Sequence, residues 1–135
     1  MKPQSFPKRE RLSSKKIIDK LFATGNTVFC YPVMSKFILE NTDGEKPSLK
    51  VLTVVPKKRI KKAADRNKVR RRIREAYRVN KLPLYALKEQ ENKHIYIALV
   101  YVSSDEHSYT DLESAINSII QNILTQKGPA ANENF

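Results

Sequence analysis

One cysteine, two histidines, three glycines and no tryptophan in 135 residues leave little room for several kinds of chemistry. Cys30 alone makes no internal disulfide. With only two histidines in the chain it anchors no zinc site, and it reads as a small buried hydrophobe. No Gly-rich phosphate loop and no nucleophile motif is present. His94 opens an apolar stretch, and His107 lies in a loop among Ser103, Ser104, Asp105 and Glu106. A catalytic histidine pair is therefore not expected, and Asp105-Glu106 reads as a solvated loop rather than a metal site. No run of about 18 apolar residues offers a membrane span. Residues 1–11 are charged and lack the apolar region of a signal peptide, so the expected location is the cytoplasm.

What is present is enough for one globular domain. Hydrophobic residues make up 40% of the chain, and its length buries a core without staples. Positive charge is abundant and unevenly placed. The net charge is +12. Residues 57–78 hold twelve Lys and Arg against two acids, so this one segment carries +10 and the rest of the chain +2. A polyanion is the natural partner of such a segment.

The order of elements follows from periodicity and punctuation. Residues 1–12 read as a flexible basic arm and residues 127–135 as a disordered tail, leaving residues 13–126 as the domain. Ser13 or Ser14 caps a helix with Ile17, Ile18, Leu21 and Phe22 on one side, stopped by Gly25-Asn26. Residues 28–31 read as a short strand ending at Pro32, which suits an edge or a bend. Residues 34–40 alternate, with Ser35, Phe37 and Leu39 on one face. Asp43-Gly44 signals a hairpin-type turn. Residues 49–55 are almost wholly apolar and read as a central strand, as do residues 95–102. Between them lie the basic helix, from Ala63 to about Val79, and a short helix over 82–91. A final helix opens at Tyr109-Thr110-Asp111 and carries Leu112, Ala115, Ile116, Ile119, Ile120, Ile123 and Leu124 as its core stripe. The fold class is α/β, an α+β sandwich. It has a single mixed sheet of about four strands packed with helices, and its main elements run α-β-β-β-α-β-α.

On a helical wheel at about 100° per residue, Val69, Ile73, Ala76 and Tyr77 share the buried arc. Asn67, Arg70, Arg71, Arg74 and Arg78 share a flank. Lys68 and Arg72 lie on the far side. Four arginines so close repel one another, and Glu75 is the one acid nearby. Stability alone does not select this arrangement. Arginine in place of lysine points to phosphates, which its planar fork grips with two hydrogen bonds.

The string Lys62-Ala63-Ala64-Asp65-Arg66-Asn67-Lys68-Val69-Arg70-Arg71-Arg72-Ile73-Arg74-Glu75 resembles the signature of the bacterial ribonuclease P protein subunit, roughly K-A-V-x-R-N-R-x-K-R-x-x-R-E. Flanking features fall in the family's order: Arg11-Leu12, Leu21-Phe22, Gly25, Phe37-Ile38-Leu39 and Pro56-Lys57-Lys58. The resemblance spans roughly residues 8–125. Lys68 departs from the family's usual second arginine, and Ile18 stands where the family often has an aromatic residue. The resemblance implies a left-handed crossover around the basic helix. It also implies a subunit that binds a catalytic RNA and the 5′ leader of precursor tRNA and assists leader removal. The hydrolysis is then carried by the RNA and its magnesium ions, with no catalytic residue, metal or cofactor on the protein. Arg66, Asn67, Lys68, Arg70, Arg71, Arg74, Arg78, Lys57 and Lys58 would face the RNA subunit. Ile18, Phe22 and Phe37 would line a leader cleft between the first helix and the sheet. By themselves Phe22, Phe29, Tyr31 and Phe37 read more readily as core. The expected partners are the catalytic RNA and precursor tRNA, with no membrane, no DNA and a monomeric protein.

A structural RNA-binding protein of ribosomal or chaperone type is the alternative. It shares the charge but has no role in leader removal. A DNA-binding regulator would need a dimer and a recognition helix, neither of which the sequence signals. A stand-alone nuclease would need the acid–base or metal residues that are missing.

Overall fold

A computed structural model describes residues 8–126 of the chain. The first helix, α1 (Lys15–Thr24), starts where the Ser14 hydroxyl accepts a hydrogen bond from the Ile17 N–H. It ends at Gly25, whose N–H donates to the Leu21 carbonyl at 2.8 Å. Gly25 has an ordinary negative φ. Glycine is required because a Cβ there would lie 2.4 Å from the Leu21 carbonyl oxygen. The reason is close approach rather than left-handed backbone.

Strand β1 (Asn26–Cys30) turns through Tyr31-Pro32, with a cis peptide bond, into β2 (Val33–Asn41). Strand β3 (Leu49–Val54) follows, then α2 (Ala63–Asn80), α3 (Leu82–Glu91), β4 (Lys93–Tyr101) and α4 (Tyr109–Thr125). Asn92, with φ 52°, closes α3, and the Ser108 hydroxyl caps α4 by accepting from the Asp111 N–H. The expected mixed four-stranded sheet is present, in the order β1-β2-β4-β3. β2 pairs antiparallel with both β1 and β4, and β3 pairs parallel with β4.

This order revises three expectations. Asp43 and Gly44 do adopt left-handed backbone, but their turn makes no hairpin, because β4 lies between β2 and β3. β3 is an edge strand rather than a central one. Its outer edge is partly covered: Arg11 bridges Val51 in parallel, and the Leu12 N–H donates to the Val51 carbonyl at 2.9 Å. Residues 8–12 are accordingly no flexible arm. Lys8–Glu10 form a single 3-10 turn, and Glu10 and Leu12 are buried. The rest of the expected arm, residues 1–7, and the expected tail, residues 127–135, lie outside the described residues.

The sheet has a core on each face. One is built by α2, α3 and α4 with Val33, Phe37, Val51, Ile95, Ile97, Leu99 and Tyr101 of the strands. The other is smaller and joins Leu21 of α1 and Leu12 to Ile38, Tyr96, Ala98 and Val100. β4 is buried nearly throughout because it is central and covered on both faces. A buried ion pair, Lys81 Nζ to Glu10 Oε1 at 2.8 Å, ties the N-terminal turn to the α2–α3 junction. The Tyr77 and Tyr85 rings flank Lys81, 5.8 and 5.2 Å from its ammonium.

Candidate nucleic-acid interface

With neither glycine nor proline, α2 runs unbroken for 18 residues and buries Val69, Ile73, Ala76 and Tyr77. Its flank forms a groove of about 390 Å³ lined by Asn67, Arg70, Arg71, Arg74, Glu75 and Arg78, together with Arg11. Arg70 donates to Asn67 Oδ1 at 2.8 Å. Arg78 grips the Glu75 carboxylate with two donors, at 3.0 and 2.6 Å, and that hydrogen bonding holds the Glu75 carboxyl below its ordinary pKa. Arg74 is half-buried, and its Nε is buried without a hydrogen-bond partner. Burial first, then the charges of Arg11 and Arg70, push its guanidinium pKa down.

The far side of α2 is occupied. Glu106 pairs with Arg72 at 2.9 Å and Lys68 at 3.7 Å, and these two cations lower its pKa, Arg72 more than Lys68. Arg72 also donates to the His107 carbonyl. Lys68 is thereby directed away from the arginine groove. Arg66 donates from one nitrogen to the Ile60 and Lys61 carbonyls, at 3.0 and 2.7 Å, and pins the loop ahead of the helix. Lys57 and Lys58 are exposed on that loop. Lys58 borders a second cavity of about 420 Å³ with Arg59, Lys61 and Lys62. Of the nine residues expected to face RNA, Asn67, Arg70, Arg71, Arg74 and Arg78 share one groove; Lys68 lies on the far side, Arg66 in the first turn of α2 turned back onto the preceding loop, and Lys57 and Lys58 on that loop. Arg11 was missed as part of the face. The signal for it was Leu12, an isolated apolar residue that had to be buried somewhere.

The leader residues divide differently. Residues paired across a sheet project to the same face. Phe29, Met34, Val100 and Val54 therefore form one row, and Thr27, Lys36, Ala98 and Leu52 the next. These rows lie on the α1 face. α1 covers part of that face, with Ile17 and Ile18 half-buried and Lys20 ion-paired to Glu40. Phe22 is 38% exposed and Phe29 61%. Phe37 is wrongly assigned to the cleft: it is fully buried in the opposite core, under α2–α4. On the α1 face of the sheet Tyr96 is buried, and Phe29 is the strand aromatic that is exposed among the described residues.

His94 lies at the start of β4, and His107 lies in the loop beyond the strand's other end, against the Tyr101 ring; the strand from His94 to Tyr101 spans about 23 Å at the usual rise. His94 contacts Ser48 and Glu45. His107 contacts Ser103 and the edge of Tyr31. Among the described residues no group of three or more His, Cys, Asp or Glu is placed to hold a metal ion, and no helix is long and apolar enough to cross a membrane.

Fold and site together define a small α+β protein that concentrates its positive charge on one helix. A family model described as Ribonuclease P matches residues 6–124. The ribonuclease P protein component of Porphyromonas gingivalis is 31% identical over 109 residues, covering 81% of this chain and 79% of its own. That of Chlorobium phaeobacteroides is 30% identical over 130 residues, 88% of each. The solved ribonuclease P protein of Thermotoga maritima superposes with a TM-score of 0.64 at 23% identity, over 85% of this chain and 98% of its own. One from Staphylococcus aureus superposes with a TM-score of 0.64 at 16% identity, over 85% and 95%. The chain belongs to the ribonuclease P protein family and is the protein component of that ribonucleoprotein endoribonuclease. Membership implies partnership with the RNA subunit and a tRNA substrate.

Proposed function

We propose that the protein holds the ribonuclease P RNA against the arginine groove of α2 and the 5′ leader of precursor tRNA against the α1 face of the sheet. The RNA and its magnesium ions carry out the hydrolysis. The protein works as a monomer in the cytoplasm and supplies binding and charge neutralisation rather than catalytic groups. The observation that carries this reading is the groove itself: four α2 arginines and Arg11 around a single acid, Glu75. A structural RNA-binding protein would also have basic residues. The family match is what favours the ribonuclease P reading over it.

The test is leader removal by the organism's own ribonuclease P RNA. Adding the protein should lower the magnesium and salt needed for cleavage. Its affinity for that RNA should fall steeply as log salt rises, because each neutralised phosphate releases counterions. A flat salt response, or cleavage indifferent to the protein, would exclude this assignment of the two surfaces.

A further inference from the structure

We propose that Glu106 sets the RNA selectivity of the basic helix: it neutralises the far side of α2 and so confines phosphate binding to the arginine groove. This rests on the groove as the seat of the ribonuclease P RNA and adds to it a residue, on a different loop, that suppresses binding of other RNAs.

Basic residues lie on two sides of α2. Lys68 and Arg72 are each about 160° around the helix from Arg70. Both reach the same oxygen, Glu106 Oε2, at 3.7 and 2.9 Å. The basic loop ahead of α2 meets the same acid, because Glu106 lines a cavity with Lys58, Arg59, Lys61 and Lys62. Without Glu106 this side would gather those four cations, Lys68 and Arg72 around Asp65. Such a field attracts any polyanion, whatever its sequence or shape. An exposed ion pair adds little to stability. Its effect on binding is different in kind: a phosphate approaching Lys68 or Arg72 must first displace a carboxylate, and that penalty falls on RNAs that use this side.

The loop around Glu106 is built to hold it there. Ser103 is 2% exposed. Its hydroxyl accepts from the Asp105 N–H and from the Tyr31 hydroxyl, each at 3.0 Å, and contacts His107 Nε2 at 3.1 Å. On the other side of Glu106, the His107 carbonyl accepts from Arg72 at 2.8 Å. Both neighbours of Glu106 are thus tied down, and its carboxylate stays over the two cations. Their hydrogen bonds and charges also lower its pKa, so it is ionised at neutral pH.

The experiment uses the full chain and two probes, the organism's own ribonuclease P RNA and poly(U). Filter binding compares wild type, Glu106→Gln, and the triple variant that adds Lys68→Gln and Arg72→Gln, beside thermal melts of each. Glu89→Gln removes an exposed acid paired with Lys88 on α3 and controls for net charge. Glu106→Gln should bind poly(U) roughly 3- to 10-fold more tightly at low salt. Its affinity for the ribonuclease P RNA should stay within about 2-fold of wild type, so the selectivity ratio falls. The gain on poly(U) should vanish in the triple variant and be absent from Glu89→Gln. Equal gains on both RNAs would put the far side of α2 in the ribonuclease P RNA interface and overturn the selective role. So would no gain on poly(U), a gain that survives loss of Lys68 and Arg72, or one that Glu89→Gln matches. A lowered Glu106→Gln melt with weaker binding to both RNAs would make the residue structural and overturn the inference too. Tight binding of the ribonuclease P RNA by wild type with no Glu106 effect sinks this inference alone; failure of wild type to bind that RNA sinks the reading beneath it as well.

Discussion

Phe37 and Phe29 sit eight positions apart and on opposite faces of one sheet, and that difference decides what each can do. Phe37 is wholly enclosed between the sheet and the α2–α4 layer. Phe37→Ala should cost about 3–5 kcal/mol of stability in a urea or thermal melt. It should leave the ratio of precursor to mature tRNA affinity unchanged. Phe29 is mostly exposed, so Phe29→Ala should change stability by less than about 0.5 kcal/mol. If its ring stacks on leader bases, the precursor-to-mature ratio should fall by about 1–3 kcal/mol. Parallel binding assays on precursor and mature tRNA check both, and an unchanged ratio in Phe29→Ala removes it from the leader surface.

Between elements, two polar clamps hold α2 in place and differ in kind. The Glu10–Lys81 pair is buried. Lys81→Ala should cost about 3–5 kcal/mol because Glu10 is then left charged and alone. Replacing both partners, as Lys81→Met with Glu10→Leu, should be near neutral or stabilising by denaturant melt. A double variant as unstable as the single would show that the pair itself, not the orphaned charge, sustains the fold. The Glu106 clamp on Arg72 and Lys68 is exposed, and the folded-state pKa of Glu106 is depressed. A depressed carboxylate contributes stability above its unfolded pKa, about 4.3, and loses it as pH falls through the folded value. Melting curves of wild type and Glu106→Gln should therefore differ at neutral pH and converge in acid. A gap that persists after the carboxylate is protonated in strong acid would deny the charge its part.

At the scale of the whole molecule, charge and chemistry are separated. His94 opens β4 and His107 lies in the loop beyond the strand's far end, and each is engaged locally. Highly purified protein should show no magnesium-dependent cleavage of precursor tRNA without the RNA subunit. Sustained turnover abolished by His94→Ala or His107→Ala would overturn the proposed division of labour between protein and RNA. A cavity of about 470 Å³ at the α1–β2 end is lined by Lys20 and Lys93 but also by Glu40 and Asp43. That lining mixes cations with acids in equal number, unlike the arginine groove on α2.

Local sequence by itself determined the elements and the basic helix. The 3.6-residue stripes of α2 and α4, the Ser14 and Gly25 ends of α1 and the β-rich run of β4 are each written in a few neighbouring residues, and the structure places them within a residue or two of expectation. The arginine flank was legible for the same reason, since one helix supplies most of it. Pairing and facing were not legible. An apolar strand such as β3 looks central whether a strand or a stray segment covers its edge, and only the fold brings Arg11 and Leu12 to Val51. Alternation told that Phe37 and Lys36 face opposite ways, but not which face α1 would cover and which the other three helices would. That choice is made by the order β1-β2-β4-β3, through contacts between residues far apart in the chain, and it put Phe37 in the core and Phe29 at the surface.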